Sequence, residues 1–216
     1  MKVIIFGANG GLGQWTWKAA ISAGHEVVAF VRSPEKLDAT DPRHASLTVV
    51  RGDVTDRGAV TEAAAGCEAA INCTSPAGGN ATLELARAAV EGAAAAGVRT
   101  FYMVGGLGAL WAPGTKREVL MQDWDDRDAM EAFGLNWSMP RERIRDMTKG
   151  HLASMAYLAG TGHAHTYLCP GLMVEGPATE GRVVTLDELG SDVAQVIVDD
   201  LGVGALLGHR VSVASG

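Results

Sequence analysis

The first thirteen residues constrain the fold of this chain more than any other stretch. Residues 3–6 form a short apolar run typical of a buried parallel strand, and Gly7, Gly10 and Gly13 follow directly. A helical stretch, residues 14–23, comes next. Glycines between a strand and a helix are typical of a phosphate-binding turn, because they allow close backbone approach and the helix N-terminus offers free N–H groups. The spacing is Gly-x-x-Gly-x-x-Gly, which differs from the standard fingerprint. We therefore predict a dinucleotide-binding turn, with a purely structural turn as the alternative.

Apolar runs and helical stretches alternate along the first hundred residues. The predicted strands are residues 3–6, 26–31, 47–51, 69–73 and 100–104, and the predicted helices are residues 14–23, 55–65 and 80–96. Further along we predict a helix at 142–159, a strand at 165–169, a short strand at 182–185, a helix at 186–201 and a final strand at 210–213. This order predicts an α/β fold of the Rossmann type, a doubly wound parallel sheet with its ligand at the carboxyl ends of the strands. No repeat or linker indicates a second domain, so residues 1–216 are expected to form one.

The residues at the strand ends indicate which dinucleotide binds. Arg32 and Ser33 follow the second strand, where an Asp or Glu would instead bind a ribose 2′-hydroxyl. An arginine can pair bidentately with a 2′-phosphate, so NADP is favoured over NAD, unless Arg32 is only a surface charge. Asp53, after the third strand, can accept from the adenine amino group or cap the next helix. The loop 74–79, after the fourth strand, consists of small residues that let backbone pass close to the nicotinamide, although a plain loop is an alternative.

Residues 109–145 interrupt the alternation. This segment mixes acidic residues and arginines with the aromatic residues Trp111, Trp124, Phe133 and Trp137. We predict an irregular insertion that covers a cleft, in which the aromatics either line a pocket for a flat apolar substrate or pack the segment onto the protein body. The acidic run at 123–128 lacks the alternation and the glycine of a calcium loop, so no metal site is predicted.

Composition narrows the partners and the compartment. The net charge of −7 and a pI near 5.3 argue against nucleic acid or an anionic membrane surface. No apolar run is long enough to span a membrane, and Met1-Lys2 leads directly into the first strand, leaving no room for a signal peptide. The three cysteines, an odd number without zinc-site spacing, are expected to be buried thiols. We expect a cytoplasmic protein.

Together, these features resemble the atypical short-chain dehydrogenases/reductases, and within them the NAD(P)H-binding, NmrA-like group that includes biliverdin-IXβ (flavin) reductase. The matching stretches are residues 5–10 with Gly13, Val31-Arg32, residues 52–54, residues 107–111, and the helix from His151 that leads to residues 167–171. The similarity covers nearly the whole chain and is weakest at 112–148. The resemblance implies that the dinucleotide is contacted by Gly7, Asn9, Gly10, Gly13, Arg32, Asp53 and Val54. It also implies that Thr74, Ser75 and Pro170 border the nicotinamide.

The chain departs from this family at the proton relay. Short-chain dehydrogenases usually donate a proton from a tyrosine four residues before a lysine, with a serine that polarises the substrate carbonyl. Lys149 matches that lysine, but Arg145 stands four residues earlier, and the serine position is Gly105 or Gly106. The candidate donors that remain are His151, Tyr157 and Ser75, and His151 has the intrinsic pKa suited to general acid work. The proton could instead come from water or from the substrate, or the protein could carry out no hydride chemistry at all.

These observations leave three hypotheses for function. The first is an NADPH-dependent reductase of a small aromatic or conjugated acceptor, such as a flavin, a quinone or a polyketide-like ketone. Such acceptors form stabilised anions and need little help from a protein acid, which suits the missing tyrosine and serine. The second is a dehydratase, isomerase or cyclase with NADP as a structural element, and the third is a non-catalytic NADP-sensing regulatory protein. Either a monomer or a homodimer is compatible with the sequence.

Overall fold

The computed structural model of the protein describes residues 1–74, 80–109, 116, 118–123, 140–169 and 189–211. Within these residues seven strands form one sheet: β1 (Lys2–Phe6), β2 (Glu26–Val31), β3 (Leu47–Arg51), β4 (Ala69–Asn72), β5 (Thr100–Val104), β6 (Ala164–Leu168) and β7 (Arg210–Val211). Every neighbouring pair is parallel, and the spatial order is β3-β2-β1-β4-β5-β6-β7. The predicted doubly wound parallel sheet is therefore confirmed.

Five helices cover the two faces of the sheet within the described residues. They are α1 (Gly11–Ser22), α2 (Arg57–Ala63), α3 (Asn80–Ala95), α4 (Arg141–Thr161) and α5 (Leu189–Asp200). Helices α1 and α5 pack on one face around the fully buried Trp17 and Ile197. Helices α2, α3 and α4 pack on the other face, around Val60, Ala89 and Leu158. Because both faces are covered, strands such as β1 are continuous apolar runs without alternation.

The strand order places a crevice at the carboxyl ends of β1 and β4. In the sheet, β2 and β3 lie on one side of β1, and β4 and the later strands lie on the other side. The strand order therefore reverses direction between β1 and β4. The Cys73 N–H donates to the Phe6 carbonyl at 3.0 Å, which holds the ends of the two strands together. Ligands of open α/β sheets bind at such a switch point, outside the carboxyl ends of the strands.

Several predicted boundaries differ from the structure. Helix α1 begins at Gly11, three residues before the predicted start, so Gly13 lies inside the helix. Helix α2 begins at Arg57 rather than at residue 55, because its N-cap is Asp56, whose carboxylate accepts from the Ala59 N–H at 3.1 Å. The predicted strand at 182–185, the loop 75–79 and the four aromatics of the insertion lie outside the described residues.

Candidate functional site

The glycine turn after β1 is compact because two of its glycines lie against backbone. Gly7 has a φ of +73°, and a Cβ there would stand 3.0 Å from the Cys73 carbonyl oxygen. A Cβ at Gly13 would overlap the Gly7 carbonyl oxygen, so only glycine lets α1 lie directly on the turn. At Gly10 a Cβ would meet only the Gly7 oxygen, at 3.4 Å, among the described residues. The outer side of the turn is therefore open to a ligand.

The N-terminus of α1 faces this turn without a side-chain cap. Its N-cap is Gly10, which makes no side-chain hydrogen bond, and its first turn carries no acidic residue. The first N–H groups of a helix lack intrahelical partners, and they carry the positive end of the helix dipole. An uncapped helix of twelve residues that follows an open glycine turn suits the diphosphate of a dinucleotide.

Asn9 connects the turn to the end of β2. Its Nδ2 donates to the Ser33 carbonyl oxygen at 3.0 Å. The sequence resemblance implies that Asn9 contacts the dinucleotide. In the structure its amide braces the glycine turn against the segment that carries Arg32, so it holds the two parts of the predicted cofactor site in register.

Arg32 and Asp53 lie at the ends of β2 and β3, and both are exposed. The Asp53 carboxylate accepts from the Thr55 N–H at 2.9 Å and from the Thr55 hydroxyl at 2.8 Å. These hydrogen bonds, and more weakly the Arg32 guanidinium, hold the pKa of Asp53 below its usual value. Asp53 thus forms a local turn, and the prediction that it caps α2 is wrong because Asp56 does so. Arg32 and Asp53 are close enough to interact electrostatically.

The remaining predicted cofactor residues differ in how much of each could face a ligand. The Val54 side chain is 6% exposed and packs in the core, so only its backbone could face a ligand. Thr74 follows β4, where its N–H and its hydroxyl donate to the Asn72 Oδ1 at 3.0 and 2.6 Å. This pair of bonds fixes the backbone at the entry to the 75–79 loop. Ser75 and Pro170 lie outside the described residues.

His151 is buried on α4 and faces the end of β5. Its Nδ1 lies 3.0 Å from the Tyr167 hydroxyl, and the two rings meet edge to face. A Cβ at Gly106 would lie 3.5 Å from Cδ2 and 3.6 Å from Nε2 of this imidazole. Burial lowers the pKa of His151 to about 4, and burial raises the pKa of Tyr167, with a smaller contribution from Cys169. Both side chains are therefore uncharged at neutral pH.

Tyr167 belongs to the stretch 167–171 that carries the family resemblance, but the sequence predicts no role for it. It lies in β6 within a buried run, where an aromatic residue is expected as core. Its ring fills the space that Gly105 leaves, because a Cβ at Gly105 would overlap the ring. A glycine at the family's serine position was a signal that another side chain occupies that space, but the sequence does not identify which one.

The structure does not bring Lys149 or Tyr157 together with His151. Lys149 is exposed, two residues from His151 and about 200° around the helix from it. Tyr157 donates to the Glu91 carboxylate on α3 at 3.3 Å, and the Arg87 guanidinium lies over its ring. Arg145, at the place of the family tyrosine, pairs with Asp123 at 3.0 Å. Of the candidate donors in the described residues, only His151 lies at the carboxyl edge of the sheet near Gly106.

The fold and the glycine turn agree with a comparison against known families. The profile described as NAD(P)H-binding matches residues 7–202. The chain belongs to this NAD(P)H-binding family. The match covers most of the sequence, so the family resemblance predicted from the residues is confirmed, and a nicotinamide dinucleotide is the cofactor class. The comparison with curated proteins gives no match.

Several solved structures share the fold over the whole chain. ChuY, an anaerobilin reductase from Escherichia coli O157:H7, is 22% identical with a TM-score of 0.70, covering 100% of this chain and 97% of its own. A Streptococcus pneumoniae TIGR4 protein described as an NADH-flavin reductase is 22% identical with a TM-score of 0.73, covering 100% of both chains. A Bacteroides thetaiotaomicron protein described as an epimerase is 23% identical with a TM-score of 0.76, covering 99% of this chain and 96% of its own. At such identities the likeness shows the fold.

Metal binding and membrane insertion find no support in the part of the chain that the structure describes. No group of three or more His, Cys, Asp or Glu side chains among these residues has the arrangement needed to hold a metal ion. None of the helices described combines the length and the apolar character needed to cross a membrane.

Proposed function

We propose that the protein is an NADPH-dependent reductase of a small aromatic or conjugated acceptor, such as a flavin, a quinone or a polyketide-like ketone. The observation that carries this proposal is His151, a buried neutral imidazole beside Gly106 at the carboxyl end of β5. A neutral imidazole at this place can donate a hydrogen bond to an acceptor oxygen. It cannot supply the strong acid catalysis that an unactivated ketone requires. Reductase neighbours of the same fold support this choice of reaction class.

Different residues would bind different parts of the cofactor. The turn 7–13 and the N-terminus of α1 would hold the diphosphate, and Arg32 would pair with the 2′-phosphate. Thr74, Ser75 and Pro170 would border the nicotinamide, and Asp53 and the Val54 backbone would flank the adenosine. When bound, NADPH would supply a hydride from C4 of its nicotinamide and leave as NADP⁺. His151 would hold the acceptor oxygen, and the reduced acceptor would take its proton from solvent. Lys149 has no part in this proposal, because its side chain is exposed.

Turnover with a panel of acceptors tests the proposal. NADPH oxidation is followed by nicotinamide absorbance with free flavins, biliverdin and quinones, with NADH in parallel and a blank without protein. We expect at least one of these acceptors to be reduced, faster with NADPH than with NADH, and His151→Ala to slow that reaction. Tight NADPH binding without reduction of any acceptor would refute the reductase.

One observation favours a second candidate, an enzyme without net redox chemistry. A neighbour of the same fold is described as an epimerase, and a buried neutral imidazole suits an enzyme that orients a substrate as well as one that reduces it. In that case the bound nucleotide would remain unchanged through many turnovers. A regulatory, NADP-sensing protein would instead bind the nucleotide and a partner in only one redox state of the cofactor. Analysis of the nucleotide recovered after incubation, and pull-down with NADPH or NADP⁺, separate these outcomes. For all three functions we propose a cytoplasmic protein.

A further inference from the structure

The hydroxyl of Tyr167 is buried next to the imidazole that the proposed function places at the acceptor. Tyr167 is 3% exposed and His151 is 9% exposed, so the contact between their polar atoms is shielded from water. The 3.0 Å separation between the Tyr167 Oη and the His151 Nδ1 is that of a hydrogen bond. A buried hydrogen bond between two neutral side chains has one consequence that an exposed one lacks. It fixes which ring nitrogen of the histidine carries the proton.

The chemistry of the two groups decides the direction of this hydrogen bond. A phenol hydroxyl is a good donor, and an unprotonated imidazole nitrogen is a better acceptor than a phenol oxygen. Both groups are uncharged, because burial lowers the pKa of His151 and raises that of Tyr167. The Ser154 hydroxyl, one helical turn from His151, donates to the Gly150 carbonyl at 2.8 Å. The Ser154 hydroxyl also lies within hydrogen-bonding reach of the Tyr167 hydroxyl. Because the hydrogen of Ser154 is used within α4, Ser154 and the His151 Nδ1 both stand as acceptors for the phenol hydrogen, and the imidazole nitrogen is the stronger acceptor of the two.

The other edge of the imidazole faces the place where a side chain is missing. Apart from the residues next to it in the chain, the only described atoms within 4 Å of a Cβ at Gly106 are Cδ2 and Nε2 of His151. Gly106 follows the carboxyl end of β5, on the edge of the sheet where ligands bind. Nε2 therefore belongs to the edge of the ring that lies beside Gly106.

We infer that Tyr167 is a positioning residue: its hydroxyl donates to Nδ1 of His151 and thereby holds the hydrogen of the neutral ring on Nε2, directed at the acceptor oxygen. The role of His151 is then that of a neutral hydrogen-bond donor, and Tyr167 acts only through it. The catalytic meaning of this inference rests on the proposed function, but the tautomer itself does not. Tyr167 also explains Gly105, because its ring occupies the space of a side chain there.

The charged groups on the elements near His151 contact other side chains. On α3, Glu91 and Arg87 contact Tyr157, and on the 3₁₀ turn at 121–123, Asp123 pairs with Arg145. On β6, the ionisable neighbour of Tyr167 is the buried Cys169 thiol. Burial is the cause of the lowered pKa of His151, and the contact that can select its tautomer is the 3.0 Å hydrogen bond with Tyr167.

Nitrogen NMR of the 216-residue chain tests the inference without any substrate. The six histidines are labelled with ¹⁵N, and His151→Gln identifies the signals of His151 by their loss. We expect a neutral ring with hydrogen on Nε2 near pH 7, and Tyr167→Phe should shift the signals toward a mixture of tautomers. Tyr102→Phe is the matched control. It removes another buried phenol hydroxyl, which donates to Asp200 on the other face of the sheet. Hydrogen on Nδ1 in the wild type, or an unchanged spectrum in Tyr167→Phe, would overturn the inference.

Kinetics of the same variants add a second readout. Tyr167→Phe should lower kcat about three- to tenfold, with KM little changed, since one neutral hydrogen bond is lost. His151→Gln should keep much more activity than His151→Ala, because the glutamine amide is a neutral donor that cannot titrate. Equal losses in His151→Gln and His151→Ala would contradict the donor role. If no acceptor is reduced at all, the proposed function fails, while the NMR experiment still decides the tautomer.

Discussion

Replacement of Arg32 tests how the site chooses between NADPH and NADH. Arg32 is exposed, directly after Val31 at the end of β2, where the ribose of a bound dinucleotide is expected. Hydrogen bonds to a charged group contribute about 1.5–3 kcal/mol. The lower half of that range applies here, because water screens the site and the Asp53 carboxylate lies near the guanidinium. A loss of about 1.5–2 kcal/mol corresponds to a rise of about 10- to 30-fold in Kd.

The expected result is a selective loss of NADPH affinity. Arg32→Ala should raise the Kd for NADPH by about 10- to 30-fold and change the Kd for NADH less than about twofold. Arg32→Asp should invert the preference, because a carboxylate accepts from a ribose 2′-hydroxyl and repels a 2′-phosphate. Arg99→Asp is the matched control. It makes the same charge change at an exposed arginine directly before β5, at the amino ends of the strands and away from the proposed site.

Isothermal titration calorimetry with each cofactor, at low and at high salt, measures the effect. The advantage of NADPH in the wild type should shrink as salt rises, because an exposed ion pair is screened. Arg99→Asp should leave the preference unchanged. An equal loss of affinity for both cofactors in Arg32→Ala, or no loss for either, would show that Arg32 does not recognise the 2′-phosphate.

Three further predictions follow from close contacts and paired charges. Gly13→Ala should abolish tight binding of either cofactor in calorimetry, because its methyl group would push α1 off the glycine turn; binding like wild type would contradict this. Gly105→Ser should lower the free energy of unfolding by about 1–3 kcal/mol through collision with the Tyr167 ring, whereas Gly106→Ser has room and should unfold like wild type in urea. Asp41→Asn should lower the free energy of unfolding at pH 7, and the variant should lose less of it than the wild type as the pH falls. The reason is that hydrogen bonds from an arginine side chain hold the pKa of Asp41 well below its usual value. That stabilisation is present above about pH 4 and is lost as the pH falls through the lowered pKa, which urea unfolding across the acid range measures.

Most strands could be predicted closely because they are runs rich in apolar and β-branched residues, bounded by polar or turn residues. The predictions at 26–31, 47–51 and 100–104 coincide with β2, β3 and β5. The helix starts were less accurate. Glycine has a low helix propensity, so Gly11 and Gly13 read as part of the turn, although close packing makes them the first residues of α1. Likewise Asp53 and Asp56 are equally good caps by residue type, and only the position of Arg57 as the first helical residue decides between them.

The sequence pointed to His151 but could not provide its partner. The histidine and Tyr167 are sixteen residues apart, one on a helix and one on a strand. Hydrophobic periodicity indicates which faces are buried, but it does not indicate which polar atoms meet inside. Lys149 is the converse case. It matches the family spacing, yet its position on α4 directs it to solvent, and Arg145 stands where a tyrosine would give that spacing its meaning.

The two proposed parts of the site differ in charge and in burial, so their effects can be measured separately. At the proposed adenosine end, Arg32 and Asp53 are exposed and charged, so we expect recognition there to be electrostatic and to weaken with salt. At the proposed nicotinamide end, His151 and Tyr167 are buried and neutral, so salt should have little effect on their contribution to the reaction. Higher ionic strength should therefore raise the KM for NADPH in the wild type while kcat stays nearly constant. Tyr167→Phe should instead lower kcat and leave KM nearly constant. A salt effect on kcat as large as that on KM would mean that a charged group, rather than the neutral histidine, stabilises the reacting acceptor.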